Sequence, residues 1–212
     1  MLGRLHYIAN YQGGADLARA LGLVCAALGA GVPCVQLRAK DCSDRQRLDL
    51  ARRVVSLCRE AGATCMIDDR ADVAVVVEAD GVHVGLEDIP VADARALLGP
   101  GRVLGASART PAEARAAVAA GADYIGCGPC FLTTSKAGLP EPIGTEGLAA
   151  VVGAVSVPVI AIGGITPARV AAVLATGAHG LAVIGAIAEA ADPAAAARQL
   201  MAGVAGAIGA GR

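Results

Sequence analysis

The stretch Thr110-Pro-Ala-Glu113-Ala-Arg-Ala-Ala-Val-Ala-Ala-Gly121-Ala-Asp-Tyr124-Ile-Gly126 holds a helix, its stop signal and the strand that follows. Thr110 and Glu113 have the spacing of a capping box, in which each side chain satisfies the other's free backbone N–H. Gly121 stands just past the Ala-rich segment, where a left-handed residue closes a helix. The same ending recurs as Ala30-Gly31-Val32, Ala61-Gly62-Ala63 and Thr176-Gly177-Ala178, each time with a strand-forming run close behind. Ser43 with Gln46 repeats the capping box, and Thr166-Pro167 and Asp192-Pro193 place proline at a first helical position.

Between these marks eight short strands are expected, at Leu5–Ala9, Cys34–Leu37, Thr64–Ile67, Gly81–Val84, Val103–Ala106, Tyr124–Gly126, Val159–Ile162 and Leu181–Ile184. A helical segment follows each. No Gly/Ser linker or charge block divides the chain, so residues 1–212 are expected to form one domain. Eight strand–helix units in this length predict an α/β fold, a small closed (β/α)8 TIM barrel. An open doubly wound sheet shows the same alternation and is the alternative.

Composition narrows the function classes. Lys+Arg 18 against Asp+Glu 19, with 2% aromatic residues, argues against a nucleic-acid partner, which needs a basic face or a stacking platform. Hydrophobic content is 55%, and Ala20–Leu37 and Gly147–Ala168 carry no charge over a length that could span a bilayer. Both are broken by Gly and Pro and change from helical to β-branched character, so each reads as helix, turn and buried strand. Met1-Leu-Gly-Arg-Leu-His-Tyr7 lacks the basic and apolar regions of a signal peptide, which predicts a cytosolic protein without a membrane partner. The seven cysteines read as reduced, small apolar residues. Cys127-Gly-Pro-Cys130 has redox-motif spacing, but a loop follows it and no second metal-binding pair accompanies it.

Lysine occurs only at Lys40 and Lys136. In a barrel, the catalytic groups stand at the carboxyl ends of the strands. Both lysines fall there, along with Gln36-Leu37-Arg38-Ala39, Asp68-Asp69-Arg70, Glu87-Asp88, Ser107 and Thr133-Thr134-Ser135. Asp69 and Asp88 are candidate Mg²⁺ ligands, since a hard ion takes a few carboxylates plus phosphate oxygens. Arg38 suits a bidentate grip on diphosphate, and Lys40 and Lys136 suit compact point charges. Each also has a structural reading: Asp69 and Asp88 as helix caps, Arg38 and Lys40 as solvated loop charges. Gly163-Gly164 after the seventh strand and Gly185 after the eighth match the usual phosphate cradle. Two anion sites at one rim point to two phosphorylated small molecules being joined.

Gln36-Leu-Arg-Ala-Lys40, Ile67-Asp-Asp-Arg70, Asp80-Gly-Val-His-Val-Gly-Leu-Glu-Asp88, Ala122-Asp-Tyr-Ile-Gly-Cys-Gly-Pro129, Thr133-Thr-Ser-Lys136 and Ala161-Ile-Gly-Gly-Ile165 resemble, as an ordered set, the thiamine phosphate synthase family. The resemblance implies a Mg²⁺-dependent transferase joining 4-amino-5-hydroxymethyl-2-methylpyrimidine diphosphate to thiazole phosphate, with loss of pyrophosphate before capture. It implies Asp69 and Asp88 as metal ligands. Gln36, Leu37, Arg38, Ala39, Lys40, Asp68, Ser107 and Lys136 would surround the pyrimidine diphosphate, with Arg38, Lys40, Ser107 and Lys136 as its catalytic groups. Thr133, Thr134, Ser135, Gly164, Ile184 and Gly185 would hold the thiazole phosphate. Five positions depart from the family pattern: Asp68 for Asn, Leu86 for Gln, Arg109 for His, Leu132 for Pro and Gly185 for Ser. The acid at 68 is expected to lose a donor and add negative charge. The related thiazole tautomerase uses a His where Arg109 stands and lacks the second acid, here Asp88. A barrel that binds the same phosphates without turnover is the third reading. Oligomeric state stays open, a homo-oligomer included.

Overall fold

A computed structural model describes residues 2–12, 16–135, 138 and 140–209. Eight parallel strands, β1 (Leu5–Gln12), β2 (Cys34–Lys40), β3 (Thr64–Asp68), β4 (Gly81–Val84), β5 (Val103–Ala108), β6 (Tyr124–Cys127), β7 (Val159–Ile162) and β8 (Gly180–Val183), pair in sequence order. Leu5 of β1 pairs with Leu181 of β8 and closes the barrel, which rules out the open sheet. Helices α1 (Leu17–Gly29), α2 (Asp44–Glu60), α3 (Ala71–Val76), α4 (Val91–Leu98), α5 (Pro111–Ala119), α6 (Gly144–Val152), α7 (Val170–Leu174), α8 (Gly185–Ala188) and α9 (Pro193–Gly209) surround it.

The local signals operate as the chemistry requires. Ser43–Gln46 and Thr110–Glu113 are both reciprocal capping boxes. Gly31, Gly62, Gly121 and Gly177 all take positive φ at helix ends. Asp192 accepts from the Ala195 N–H at the start of α9. Thr166 departs from expectation: its side chain caps nothing, and Pro167 opens a 3-10 turn ahead of α7.

Two hydrophobic layers follow from strand alternation. Outward residues such as Leu5, Tyr7, Val35, Leu37, Ile67 and Leu104 pack against helix residues such as Ala27, Val54 and Leu200. Inward residues Ile8, Cys34, Met66, Tyr124, Ile160 and Ala182 form a smaller interior cluster. Both faces are covered, so the strands are mainly apolar, with polar side chains gathered on the barrel interior and at the carboxyl rim. Among the described residues no helix is long and apolar enough to cross a membrane. The closed parallel barrel brings every strand's carboxyl end to one rim. Asp80 and Asp123 lie at the opposite end, where they accept the Cys65 and Leu104 N–H groups and serve the fold.

Candidate active site

A cavity of about 760 Å³ opens at the carboxyl rim. Strand alternation explains its lining. In β2 the period of two turns Gln36, Arg38 and Lys40 to the same side, and β1 residues Ile8, Asn10 and Gln12 stand beside them in register. Gln36, Arg38, Lys40, Asp68, Asp69, Asp88, Ser107, Thr133, Thr134, Ser135, Gly164, Ile184 and Gly185 all line this cavity. Leu37 faces the helices instead, in the outer core. Ala39 packs against that core as well, and its carbonyl accepts from Arg47 Nε at 3.1 Å. Lys136 lies outside the described residues.

The charged end is built from three loops. Alternation alone would turn Asp69 away from Asp68's side, but Asp69 has φ 68°. Its backbone N–H binds the His83 carbonyl at 2.8 Å, and its carboxylate meets Lys40 Nζ. Aspartate is among the few residues that visit this region readily. Asp88 Oδ1 lies 4.0 Å from the same Lys40 Nζ, while Oδ2 accepts the Gly85 N–H at 2.8 Å. A Cβ at Gly85 would sit 2.7 Å from that oxygen, so a side chain there would displace the Asp88 carboxylate. Neither acid caps a helix: α3 follows Arg70 and α4 follows Pro90, both without side-chain caps. The helix-cap readings of Asp69 and Asp88 therefore fall. Two carboxylates instead converge on one cation.

Burial is the main cause that raises the Asp88 carboxyl, with Asp69 adding to it. Asp68 is only 8% exposed, and its Oδ1 has no hydrogen-bond partner. Burial, then the Asp69 charge, pushes its carboxyl well above the carboxylate range. Arg38 donates to Asn10 Oδ1 at 2.7 Å. Among the described residues no three His, Cys, Asp or Glu side chains form a complete metal site. The donor set of Asp69 and Asp88 fits a hard cation whose other ligands come from water and phosphate.

The opposite end is shaped by close backbone approach. Gly163 and Gly164 have φ 98° and 63°, and a Cβ at Gly164 would lie 2.4 Å from the Leu132 carbonyl oxygen. The loop after β6 therefore packs directly on the glycine pair. Thr133 Oγ1 accepts the Ser135 N–H at 3.3 Å, and the first N–H groups of α8 have no side-chain cap.

Cavity residues that escaped the sequence reading as site residues include His83, Tyr124, Arg169 and Glu189. The first two had a signal, glycine inside a strand, which marks close approach. A Cβ at Gly105 would meet Tyr124 Cζ at 2.1 Å, and one at Gly126 would meet His83 Cε1 at 2.7 Å. Arg169 stacks 4.5 Å from the Phe131 ring centroid and donates to the Gly164 carbonyl.

Comparison with known proteins decides the family. A profile described as thiamine monophosphate synthase matches residues 7–187. The chain belongs to the thiamine monophosphate synthase family. It is 55% identical over 196 residues to the thiamine-phosphate synthase of Salinispora arenicola, covering 91% of this chain and 93% of that one. It is 52% identical over 203 residues to the Salinispora tropica protein of the same name, covering 94% and 96%. The solved structure of thiamine phosphate pyrophosphorylase from Pyrococcus furiosus superposes with a TM-score of 0.86 at 36% identity, covering 97% and 96%. Family membership makes this chain an enzyme of the transferase class, with thiamine-phosphate synthase function.

The departures from the family pattern acquire structural contexts. Gly185 leaves room for an acid, since a Cβ there would be 2.8 Å from Glu189 Oε1 and 3.1 Å from Ser135 Oγ. Arg109 Nη2 donates to the Glu141 carbonyl at 2.7 Å, while its buried Nε has no partner. Leu86 and Leu132 are 60% and 80% exposed at the cavity mouth. Cys127 and Cys130 are buried, and burial raises their thiols to about 12 and about 11. Neither supplies the thiolate that redox exchange requires at neutral pH.

Proposed function

We propose that the chain joins 4-amino-5-hydroxymethyl-2-methylpyrimidine diphosphate to thiazole phosphate, forming thiamine phosphate and pyrophosphate. The observation that carries this reading is the convergence of Lys40 on Asp69 and Asp88, in the same cavity as the glycine cradle. Asp69 and Asp88 would hold Mg²⁺. When bound, Mg²⁺ neutralises the charge that develops on a departing diphosphate.

Arg38 and Lys40 supply fixed positive charge where pyrophosphate becomes more anionic. Groups preorganised for charge that appears only as the bond breaks stabilise the transition state more than the ground state. Gln36 and Ser107 orient the aminopyrimidine, whose ring electrons stabilise the methylene cation left behind. Thr133 to Ser135, Gly164, Ile184 and Gly185 place the thiazole phosphate so that its ring nitrogen captures that cation. Lys136 completes the diphosphate contacts by family resemblance. The barrel's reaction needs no side-chain nucleophile, and the buried thiols have no part in it.

Purified protein with both substrates and Mg²⁺ should release thiamine phosphate and pyrophosphate in equal amounts, measured by chromatography. Isomerisation of a carboxythiazole phosphate without condensation would assign the tautomerase reaction instead. Binding of either phosphate without any turnover would make the chain a sensor.

A further inference from the structure

A continuous hydrogen-bonded chain crosses the barrel interior beneath the site. His6 Nε2 lies 3.0 Å from the Gly3 carbonyl oxygen, and His6 Nδ1 lies 2.7 Å from Gln36 Nε2. Gln36 Nε2 is also 3.2 Å from the Tyr124 hydroxyl. That hydroxyl lies 2.9 Å from His83 Nδ1, and His83 Nε2 lies 3.0 Å from Ser107 Oγ. The five side chains come from β1, β2, β6, β4 and β5. His6, Gln36 and Tyr124 are buried.

The direction of this chain follows from one fixed end. A carbonyl oxygen can only accept, so His6 carries its proton on Nε2 and offers Nδ1 as an acceptor. Gln36 then donates one amide hydrogen to His6 and the other to Tyr124. Tyr124 donates to His83 Nδ1, and His83 Nε2–H donates to Ser107. Burial favours the neutral state at the fixed end, lowering His6 to about 4. Two groups remain for a ligand: the Gln36 carbonyl oxygen as acceptor and the Ser107 O–H as donor. Gln36, Tyr124, His83 and Ser107 line the cavity, and His6 does not. A 4-aminopyrimidine presents the matching pair, an amino donor beside a ring-nitrogen acceptor.

We propose that His6 is a positioning residue, which fixes the acceptor and donor pattern of Gln36 and Ser107 without touching substrate. The proposal rests on the pyrimidine reading given above. Without an acceptor at His6 Nδ1, one Gln36 N–H is left unpaired in the interior, and the amide turns to recover a partner. It then presents the wrong polarity to the aminopyrimidine.

Isosteric variants separate positioning from simple anchoring of Gly3. Asparagine places an oxygen near imidazole Nδ1, whereas glutamine places a nitrogen near Nε2. His6→Asn should keep the KM for the pyrimidine diphosphate within about threefold of wild type, while His6→Gln and His6→Leu raise it about tenfold or more. In all three, kcat and the thiazole phosphate KM should stay within about twofold. An unchanged KM in His6→Leu overturns the proposal, as does rescue by Gln and not by Asn. Parallel loss of kcat and both KM values in every variant also overturns it. If wild type does not turn over the pyrimidine diphosphate, the functional reading fails and carries the proposal with it. Nitrogen-15 NMR of the folded wild-type protein needs no variant: His6 should be protonated on Nε2 alone, and a proton on Nδ1 overturns the assignment.

Discussion

One substitution, glycine to alanine, should act in opposite directions at two places in this barrel. At Gly105 the new methyl would fall 2.1 Å from Tyr124 Cζ and 2.4 Å from its hydroxyl oxygen. Tyr124 is fully buried and bonds both Gln36 and His83, so its ring cannot move without breaking the interior chain. Overpacking alone costs about 1–3 kcal/mol. Leaving Gln36 and His83 without their shared partner adds about 1–3 kcal/mol. Gly105→Ala should therefore lose roughly 2–6 kcal/mol, a large part of an ordinary domain's stability. At Gly22, in the middle of α1, a methyl meets nothing within 4 Å and the site is exposed. Gly22→Ala should gain about 1 kcal/mol from helix propensity. Urea unfolding of both variants beside wild type, followed by circular dichroism, measures the contrast. A Gly105→Ala protein as stable as wild type would refute the close-packed interior chain.

Asp88→Asn keeps an oxygen able to accept the Gly85 N–H but removes one carboxylate charge, so the fold should persist while turnover with Mg²⁺ falls roughly 10²-fold. Steady-state kinetics with a thermal melt checks both halves, and near-normal turnover would remove Asp88 from the proposed site. Stability should also fall as pH drops. His6 has its folded value lowered to about 4 against an ordinary 6.5, so the unfolded chain binds the proton first. Its contribution is complete above pH 6.5 and is lost as pH falls toward 4, by about 3 kcal/mol from His6 alone. Unfolding free energies at several pH values should show a shallower slope in His6→Asn; identical slopes would contradict the buried neutral state. Cys127 and Cys130 should resist alkylation at neutral pH until the protein unfolds, and a Cys127→Ser, Cys130→Ser double variant should stay active. An inactive but folded double variant would give the pair a role that their burial argues against.

Much of the fold was legible because several helix ends carry their own local mark and the strands carry β-branched runs. Gly31, Gly62, Gly121 and Gly177 close helices through positive φ, a requirement imposed by backbone sterics rather than by distant contacts. The charged rim was legible for a topological reason: parallel strands in a closed barrel send all their following loops to one end. Lys40, Asp69 and Asp88 therefore met once the strands were placed. Leu37 and Ala39 did not join them, because strand alternation turns them toward the helices. The link among His6, Gln36, Tyr124, His83 and Ser107 depends on which strands face one another across the interior. Local sequence marks carry no such information, although Gly105 and Gly126 record the space that Tyr124 and His83 need. The acid behind Gly185 was hidden similarly, since Glu189 reaches it only through the short turn of α8.

The cation and diphosphate reading of the rim is tested most directly by a crystal grown with Mn²⁺ and pyrophosphate. An anomalous difference map should show manganese bound by Asp69 and Asp88, with pyrophosphate in contact with Arg38 and Lys40. Manganese elsewhere, or pyrophosphate away from those two cations, would contradict the account.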